Sequence, residues 1–208
     1  MKDASLIFWD FDGVIKDSVS VKTEAYAGLF EGFGPELSRQ VRDHHDAHGG
    51  MSRFEKIPLY LRWAGQKVDS EVVEEFCERF SQTVLQKVIE SPWVAGVEDY
   101  LRTRYCDQDF VLVSATPQKE LDFIVQSLAL TCCFRSTYGA PAKKADIIRQ
   151  VLLAKKANPS NCLMIGDAQA DLDAAQANHV PFLLRKYSGN RELFSNYLGP
   201  TIEDFSNV

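Results

Sequence analysis

Short apolar runs and longer helix-period segments alternate along most of the chain. Five runs resemble buried parallel strands, and they lie at 5–9, 109–113, 162–165, 180–184 and, more weakly, 133–137. The segments between the later runs have apolar residues at the spacing of amphipathic helices. Strand and helix alternating in this way predict an α/β fold with a parallel sheet.

The stretch between about residues 18 and 90 departs from this alternation. It has no convincing strand, and its pattern predicts three or four helices. One of them is expected to begin at Ser52, which forms a capping-box pattern with Glu55. A helical domain is therefore expected between the first and second strands. The core domain would comprise residues 1–16 and 92–208, and the helical insert residues 17–91.

The bulk composition is that of an ordinary globular protein, with 45% hydrophobic and 25% charged residues among 208. The formal net charge of -6 argues against general nucleic-acid binding. We expect no signal peptide and no membrane span, because no suitable apolar segment is present. The five cysteines include no C-x-x-C pair, so reduced thiols in a cytoplasmic protein are expected. The composition leaves the oligomeric state open.

Two acidic residues directly follow the first apolar run. Residues two apart on an extended backbone point the same way, so Asp10 and Asp12 can face one crevice while Phe11 points elsewhere. Gly13 allows the chain to turn there without a side chain in the way. Ligands of open α/β sheets bind outside the carboxyl ends of the strands, and the two carboxylates therefore predict a site.

Polar residues also follow three later runs: Ser114 and Thr116, which flank Ala115, then Lys143 and Lys144, then Asp167 and Asp171. Thr116 is the expected N-cap of a helix whose free N–H groups suit an anion. Asp167 is expected to cap the helix that follows it. Clustered carboxylates would repel one another and a phosphate, and a hard cation such as Mg²⁺ removes both repulsions. A lysine and the cation could then hold a phosphoryl group against a carboxylate nucleophile.

In order and spacing, these residues resemble the four motifs of the haloacid dehalogenase (HAD) superfamily. The matching positions are Asp10-Phe11-Asp12-Gly13-Val14, Ser114, Lys144 and Gly166-Asp167-x-x-x-Asp171. The insert looks like the C1-type helical cap of that superfamily. The resemblance implies a Rossmannoid core and a Mg²⁺-dependent phosphatase. Its substrate would be a small phosphorylated metabolite, a sugar phosphate being one candidate.

The resemblance also implies a role for each motif residue. Asp10 would be the nucleophile that forms an aspartyl-phosphate. Asp12 would protonate the leaving oxygen and then deprotonate the attacking water. Ser114 and the N–H of Ala115 would bind phosphoryl oxygens, and Lys144 would neutralise charge on Asp10 and the phosphoryl group.

The same resemblance implies a metal site made only of oxygen ligands. The ligands would be Asp10, the carbonyl of Asp12, Asp167 and, directly or through water, Asp171. The family pattern G-x-P-x-x-K fits Gly139, Pro141 and Lys144, so Lys143 is the weaker candidate for the motif lysine.

Other members of the superfamily provide alternative functions. Its dehalogenases need neither the second aspartate nor Mg²⁺, so Asp12 favours phosphoryl transfer. Its phosphonate hydrolases use a cap lysine, but no pattern marks Lys22 or Lys56 as desolvated. Mutases of the β-phosphoglucomutase type have a histidine where Lys22 stands, which favours hydrolysis. A non-catalytic binding protein on the same fold is the remaining alternative, and the four intact motifs argue against it.

The segment 44–53, HHDAHGGMSR, is the expected specificity region of the cap. Gly50, Arg53 and His48 are the candidates there, because the string resembles the G-x-S-R cap loop of the mutases. Arg53 could bind a carboxylate or a second phosphate of the substrate, or it could be a solvated surface residue. His44 and His48, with Asp46, could instead hold zinc or could simply be polar surface residues.

Overall fold

A six-stranded parallel sheet forms the centre of the molecule. The computed structural model describes residue 1 and residues 4–208. Its strands are β1 Leu6–Trp9, β2 Asp109–Pro117, β3 Ser136–Ala140, β4 Cys162–Gly166, β5 Phe182–Arg185 and β6 Thr201–Ile202. They lie in the order β3-β2-β1-β4-β5-β6, and every neighbouring pair is parallel. The predicted α/β fold is therefore confirmed.

Helices cover both faces of this sheet, and their bounds are α5 Val97–Arg104, α6 Gln118–Ser127, α7 Lys144–Lys155 and α8 Gln169–Ala177. The position of β1 inside the sheet, with helices on both faces, explains why all of its residues are apolar. Ile7 and Trp9 belong to the core shared with α5 and α6, whereas Leu6 and Phe8 belong to the core shared with α7 and α8. Successive side chains of a strand point to opposite faces, so a strand covered on both faces is apolar throughout. Each such side chain, fully buried, contributes about 1.5–3 kcal/mol.

Four helices occupy the segment between β1 and α5, and we call them the cap. Their bounds are α1 Val19–Leu29, α2 Pro35–Ala47, α3 Arg53–Trp63 and α4 Ser70–Glu90. Aromatic side chains fill the space between them; Tyr26 stacks on Phe80 with ring centroids 3.9 Å apart. The α3 helix begins as expected, with the Ser52 N–H donating to Glu55 Oε2 at 3.3 Å. The predicted set of three or four helices is thus present, while the boundary at 17 and 91 stays a prediction.

The strand bounds differ from the apolar runs in places. β3 occupies Ser136–Ala140 rather than 133–137, because Cys133 and Phe134 are buried in the loop before the strand. Their apolar side chains made the run begin early. β6 consists of two residues and was not predicted, since so short a segment has no detectable period. Among the residues that the structure describes, no helix is long and apolar enough to cross a membrane.

Candidate active site

Lys144 connects two buried carboxylates at the carboxyl edge of the sheet. Asp10 directly follows β1, and its N–H donates to the Ile165 carbonyl of β4 at 2.9 Å. Lys144 Nζ lies 2.7 Å from Asp10 Oδ1 and 2.5 Å from Asp171 Oδ1. Lys143 is exposed. Of the two candidate lysines, the structure therefore places Lys144 in the site.

Three aspartates surround the same point. Asp10, Asp167 and Asp171 each offer one carboxylate oxygen, and these oxygens lie within 4.8 Å of one another. Burial and the Asp171 charge raise the pKa of Asp10 to about 7. Burial and the Asp10 charge raise the pKa of Asp167 well above its ordinary value. Negative charge is therefore in excess here, and an oxygen-only donor set of this kind fits Mg²⁺.

The charge of Lys144 responds to the same surroundings. Burial lowers the pKa of its ammonium, but the Asp10 and Asp171 carboxylates outweigh burial and raise the pKa above its ordinary value. Lys144 is therefore a permanent cation in the working pH range. One lysine nevertheless cannot balance three carboxylates.

Two glycines make room for these aspartates. A Cβ on Gly13 would lie 2.1 Å from Asp167 Oδ2, and Gly13 has a φ of +75°, which disfavours any other residue. A Cβ on Gly166 would lie 2.3 Å from the Asp171 Cβ. The D-x-D-G and G-D motifs therefore need glycine for packing reasons as well as for the turn.

Asp12 lies outside this cluster, because other side chains hold its carboxylate. Ser18 Oγ donates to Asp12 Oδ1 at 2.7 Å, Thr116 Oγ1 donates to Oδ2 at 3.3 Å, and Lys22 forms an ion pair with Oδ2. Lys22 Nζ also donates to Thr116 Oγ1 at 2.9 Å. Burial raises the pKa of Asp12, but the Lys22 ammonium outweighs burial and holds the pKa below its ordinary value.

Sequence reasoning missed these partners of Asp12. Lys22 was considered only as the counterpart of a mutase histidine or as a Schiff-base candidate, and Thr116 only as a helix cap. A signal was present, because Ser18 and Lys22 are four residues apart at the start of α1 and therefore lie on one face.

Two of the phosphate-binding candidates, Ser114 and Ala115, lie in a bulge of β2. Val113 pairs with Tyr138 and Pro117 pairs with Ala140, so residues 114–116 stand opposite a single residue of β3. Ser114 is buried, and its Oγ accepts the Thr116 N–H at 3.1 Å. The expected cap at Thr116 is wrong: the bulge lets the strand resume pairing at Pro117, which is the N-cap of α6.

Asp167 and Asp171 have separate structural supports. Asp171, not Asp167, caps α8, because Asp171 Oδ2 accepts the Ala168 N–H at 3.1 Å. The expectation that Asp167 caps this helix is therefore wrong. Tyr187 Oη donates to Asp167 Oδ2 at 3.2 Å, and Asn190 Nδ2 donates to the Asp167 carbonyl at 2.9 Å. Both supports follow β5, where no sequence pattern indicated them.

The cap closes over these residues and leaves a small cavity. Its core face includes Asp10, Ala115, Thr116 and Lys144, and its cap face includes Lys22, Tyr26, His45, Arg53 and Phe80. The cavity leaves about 40 Å³ for the centres of water-sized molecules, which is room for a few waters. The cap loop also touches the core, since a Cβ on Gly50 would lie 2.6 Å from the Ala170 Cβ. A larger cavity of about 640 Å³ adjoins Ser114, Ala115 and Lys144 from the side of the cap loop.

Arg53 is buried and paired with a residue of the core. Its side chain is 4% exposed, which excludes the solvated alternative. Its Nη1 and Nη2 donate to the two carboxylate oxygens of Glu120 at 2.7 and 2.8 Å. The guanidinium lies over the Phe80 ring, 4.7 Å from its centroid. Its contact with a substrate stays a prediction, and sequence reasoning missed Glu120.

The histidines of the segment 44–53 are engaged with other groups. His44 Nδ1 is 2.9 Å from Tyr60 Oη, and His48 Nδ1 is 2.9 Å from the His44 carbonyl. Asp46 accepts a hydrogen bond from Thr23 at 2.7 Å. The three side chains proposed as zinc ligands thus each have a different hydrogen-bond partner, which argues against the zinc hypothesis. His48 is exposed, and its role in specificity stays a prediction.

Lys56 is desolvated, contrary to the expectation from sequence. Its side chain is 0% exposed, and Nζ lies 2.7 Å from His45 Nδ1. Burial lowers the pKa of Lys56 to about 7. Burial and the Lys56 charge hold the pKa of His45 well below its ordinary value, so the imidazole is neutral and accepts. An amphipathic-helix pattern does not distinguish such a lysine from a solvated one.

The capped parallel sheet, with aspartates and a lysine at its carboxyl edge, defines an α/β enzyme with a lid. A family model described as haloacid dehalogenase-like hydrolase matches residues 4–179, and the chain belongs to this family of hydrolases. It is 24% identical, over 191 residues, to a phosphoglycolate phosphatase of Pseudomonas savastanoi pv. phaseolicola. That match covers 89% of this chain and 70% of the relative.

Solved structures share the whole fold. A β-phosphoglucomutase from Clostridium difficile superposes with a TM-score of 0.78 at 18% identity, covering 99% of this chain and 93% of the other. A predicted phosphoglycolate phosphatase from Haemophilus somnus superposes with a TM-score of 0.74 at 16% identity, covering 100% and 97%. At these identities the likeness extends to the architecture, including the cap.

Proposed function

We propose that the chain is a Mg²⁺-dependent phosphatase that hydrolyses a small phosphorylated metabolite through an aspartyl-phosphate on Asp10. A sugar phosphate is one candidate substrate. The observation that carries the proposal is the placement of Lys144 between Asp10 and Asp171, with Asp167 in the same cluster. A nucleophile, a fixed cation and an oxygen donor set then share one small cavity.

The Asp10 carboxylate attacks the phosphorus atom, and the bond to the leaving oxygen breaks. Lys144, 2.7 Å from Asp10 Oδ1, stabilises the charge that Asp10 and the phosphoryl oxygens share. Ser114 and the Ala115 N–H lie in the bulge of β2, where they can orient those oxygens. Mg²⁺, held by Asp10, the Asp12 carbonyl, Asp167 and Asp171, would supply further neutralisation of negative charge.

Asp12 acts as the general acid and the general base of the reaction. The second half-reaction needs a base that takes a proton from the attacking water, and Asp12 is available in its ionised form because the Lys22 ammonium holds its pKa below the ordinary value. The first half-reaction needs a proton on the leaving oxygen. Asp12 can supply it once substrate entry weakens the Lys22 contact and the carboxylate has taken up a proton from solvent, because the ammonium otherwise keeps Asp12 ionised.

Two alternatives find less support in the observations. A phosphosugar mutase of the β-phosphoglucomutase type would need cap groups for a second phosphate, whereas Arg53 is paired with Glu120 and Lys22 with Asp12. A non-catalytic binding protein would not need Asp10 and Lys144 in a reactive arrangement. Hydrolysis therefore fits the described residues better.

The proposal is tested by hydrolysis of p-nitrophenyl phosphate with Mg²⁺, after EDTA and after Mg²⁺ is restored. We expect chelation to abolish hydrolysis and Mg²⁺ to restore it. Full activity after exhaustive chelation would remove the metal from the proposal. A panel of phosphorylated sugars, sugar acids and nucleotides would then identify the substrate.

A further inference from the structure

Arg53, one of the two cap cations that face the cavity, is already neutralised by the core. Arg53 lines the cavity with Asp10 and Lys144. Glu120, which belongs to α6 of the core, is 18% exposed and engages both terminal nitrogens of Arg53. A bidentate pair of this kind has defined geometry and uses the donors with which an arginine binds carboxylates and phosphates.

The carboxylate of Glu120 has a second partner that keeps it in place. Ser81 Oγ, from α4, donates to Glu120 Oε1 at 2.6 Å and also contacts Arg53. Two cap helices therefore hold one core carboxylate. An anionic group of a substrate that takes these two donors of Arg53 must displace Glu120, which would leave a mostly buried carboxylate without its cation.

The other cations of the cavity also have acidic partners. Lys22 is paired with Asp12, and Lys144 is paired with Asp10. The remaining cap face is uncharged: Tyr26 and Phe80 are aromatic, and His45 is a neutral imidazole because burial holds its pKa well below its ordinary value. The part of the cavity that receives the leaving group therefore suits a neutral molecule.

We propose that Glu120 determines the substrate class: by occupying Arg53, it selects phosphate monoesters whose leaving group is uncharged, over those with a carboxylate or a second phosphate. This inference rests on the proposed phosphatase function. It also separates this chain from the relative named phosphoglycolate phosphatase, because the leaving group in phosphoglycolate has a carboxylate.

Two esters that differ at one carbon provide the test. Glycerol 3-phosphate has a neutral leaving group, and 3-phosphoglycerate has a carboxylate in its place. Both are measured as competitive inhibitors of p-nitrophenyl phosphate hydrolysis, so the result does not depend on their own turnover. In the wild-type enzyme, glycerol 3-phosphate should have the lower inhibition constant.

The decisive variant is Glu120→Gln, which keeps the shape of the side chain and removes its charge. The preference for 3-phosphoglycerate over glycerol 3-phosphate should rise at least tenfold, because Arg53 is then available to the carboxylate. The double variant Glu120→Gln with Arg53→Gln should lose this gain. Asp122→Asn is the matched control, because it removes an exposed carboxylate from the same helix away from Arg53.

A change of less than threefold in Glu120→Gln would overturn the inference and leave the phosphatase function standing. A wild-type preference for 3-phosphoglycerate would also overturn it, even if Glu120→Gln fails to fold. Absence of p-nitrophenyl phosphate hydrolysis by the wild-type enzyme with Mg²⁺ would overturn the proposed function, and this inference with it.

Discussion

The two faces of the cavity hold their charges differently. On the core face, Asp10, Asp167 and Asp171 outnumber Lys144, and the pKa of Asp10 is raised to about 7. On the cap face, Arg53 has its own carboxylate in Glu120. The excess negative charge on the core face favours binding of a cation, whereas the paired charges on the cap face leave that surface neutral. In the proposed function, the core face accounts for the reaction and the cap face for its specificity.

The largest expected effect concerns the nucleophile on the core face. Asp10→Asn should lower kcat for p-nitrophenyl phosphate at least roughly a thousandfold, because covalent catalysis has no substitute group here. The amide has the same shape, so circular dichroism should show an unchanged fold. Residual turnover within about tenfold of the wild-type enzyme would remove Asp10 from this role.

The next effect concerns the excess negative charge itself. Asp167→Ala should raise the Mg²⁺ concentration for half-maximal activity, and the calorimetric Kd for Mg²⁺, at least roughly tenfold. Asp173→Asn is the control. Asp173 is an exposed carboxylate of α8, the helix that follows Asp167, and it lies outside the cluster. Equal Mg²⁺ affinity in the two variants would show that Asp167 is not a ligand.

The raised pKa of Asp10 predicts a pH dependence of metal binding. Below about pH 7 the metal-free carboxyl is protonated, so Mg²⁺ must displace a proton. The Kd for Mg²⁺ should therefore increase as pH falls below 7, approaching about tenfold per pH unit for one proton. Calorimetry between pH 6 and 8 measures this change. A flat Kd across the range would mean that the carboxylates are already ionised.

The smallest effect concerns Lys56, which lies behind His45 on the cap face. Its pKa is lowered by folding, so the unfolded state binds the proton more tightly and stability rises with pH from about 7 towards the ordinary lysine pKa. Below pH 7, where Lys56 is charged in both states, the buried ammonium lowers the stability of the fold by its full amount. Lys56→Met should therefore raise the free energy of unfolding by about 1–3 kcal/mol at pH 6.5, and by less at pH 9.

Urea unfolding at the two pH values measures the effect of Lys56→Met. Lys143→Met is the matched control, because Lys143 is exposed and should show little change at either pH. A change in the free energy of unfolding on Lys56→Met that is equal at pH 6.5 and pH 9, whatever its sign, would show that the amine is not penalised by burial.

The core face was predictable from the sequence because its signals are local. Asp10, Asp12 and Gly13 directly follow an apolar run, and the turn and the carboxylates are encoded within a few residues. Asp167 and Asp171 show the same kind of pattern after β4. The rule that ligands bind at the carboxyl ends of parallel strands then brings these separate segments together.

The cap face was less predictable because its contacts join distant residues. Arg53 and Glu120 are 67 residues apart in the chain, and nothing in the periodicity of α6 marks Glu120 as a mostly buried residue. Lys56 occupies a helix position that a charged residue can take in solvent or in a buried pair. Which of these occurs depends on how the cap packs, and that depends on many residues together.

The central claim is that Asp10 carries the phosphoryl group during turnover. Acid quenching of the wild-type enzyme during the first turnovers, followed by peptide mass spectrometry, tests it most directly. The account predicts the mass of one phosphoryl group on the peptide that contains Asp10, with the modification lost in Asp10→Asn. A phosphoryl group on another side chain, or its absence throughout the first turnover while phosphate is released, would contradict the account.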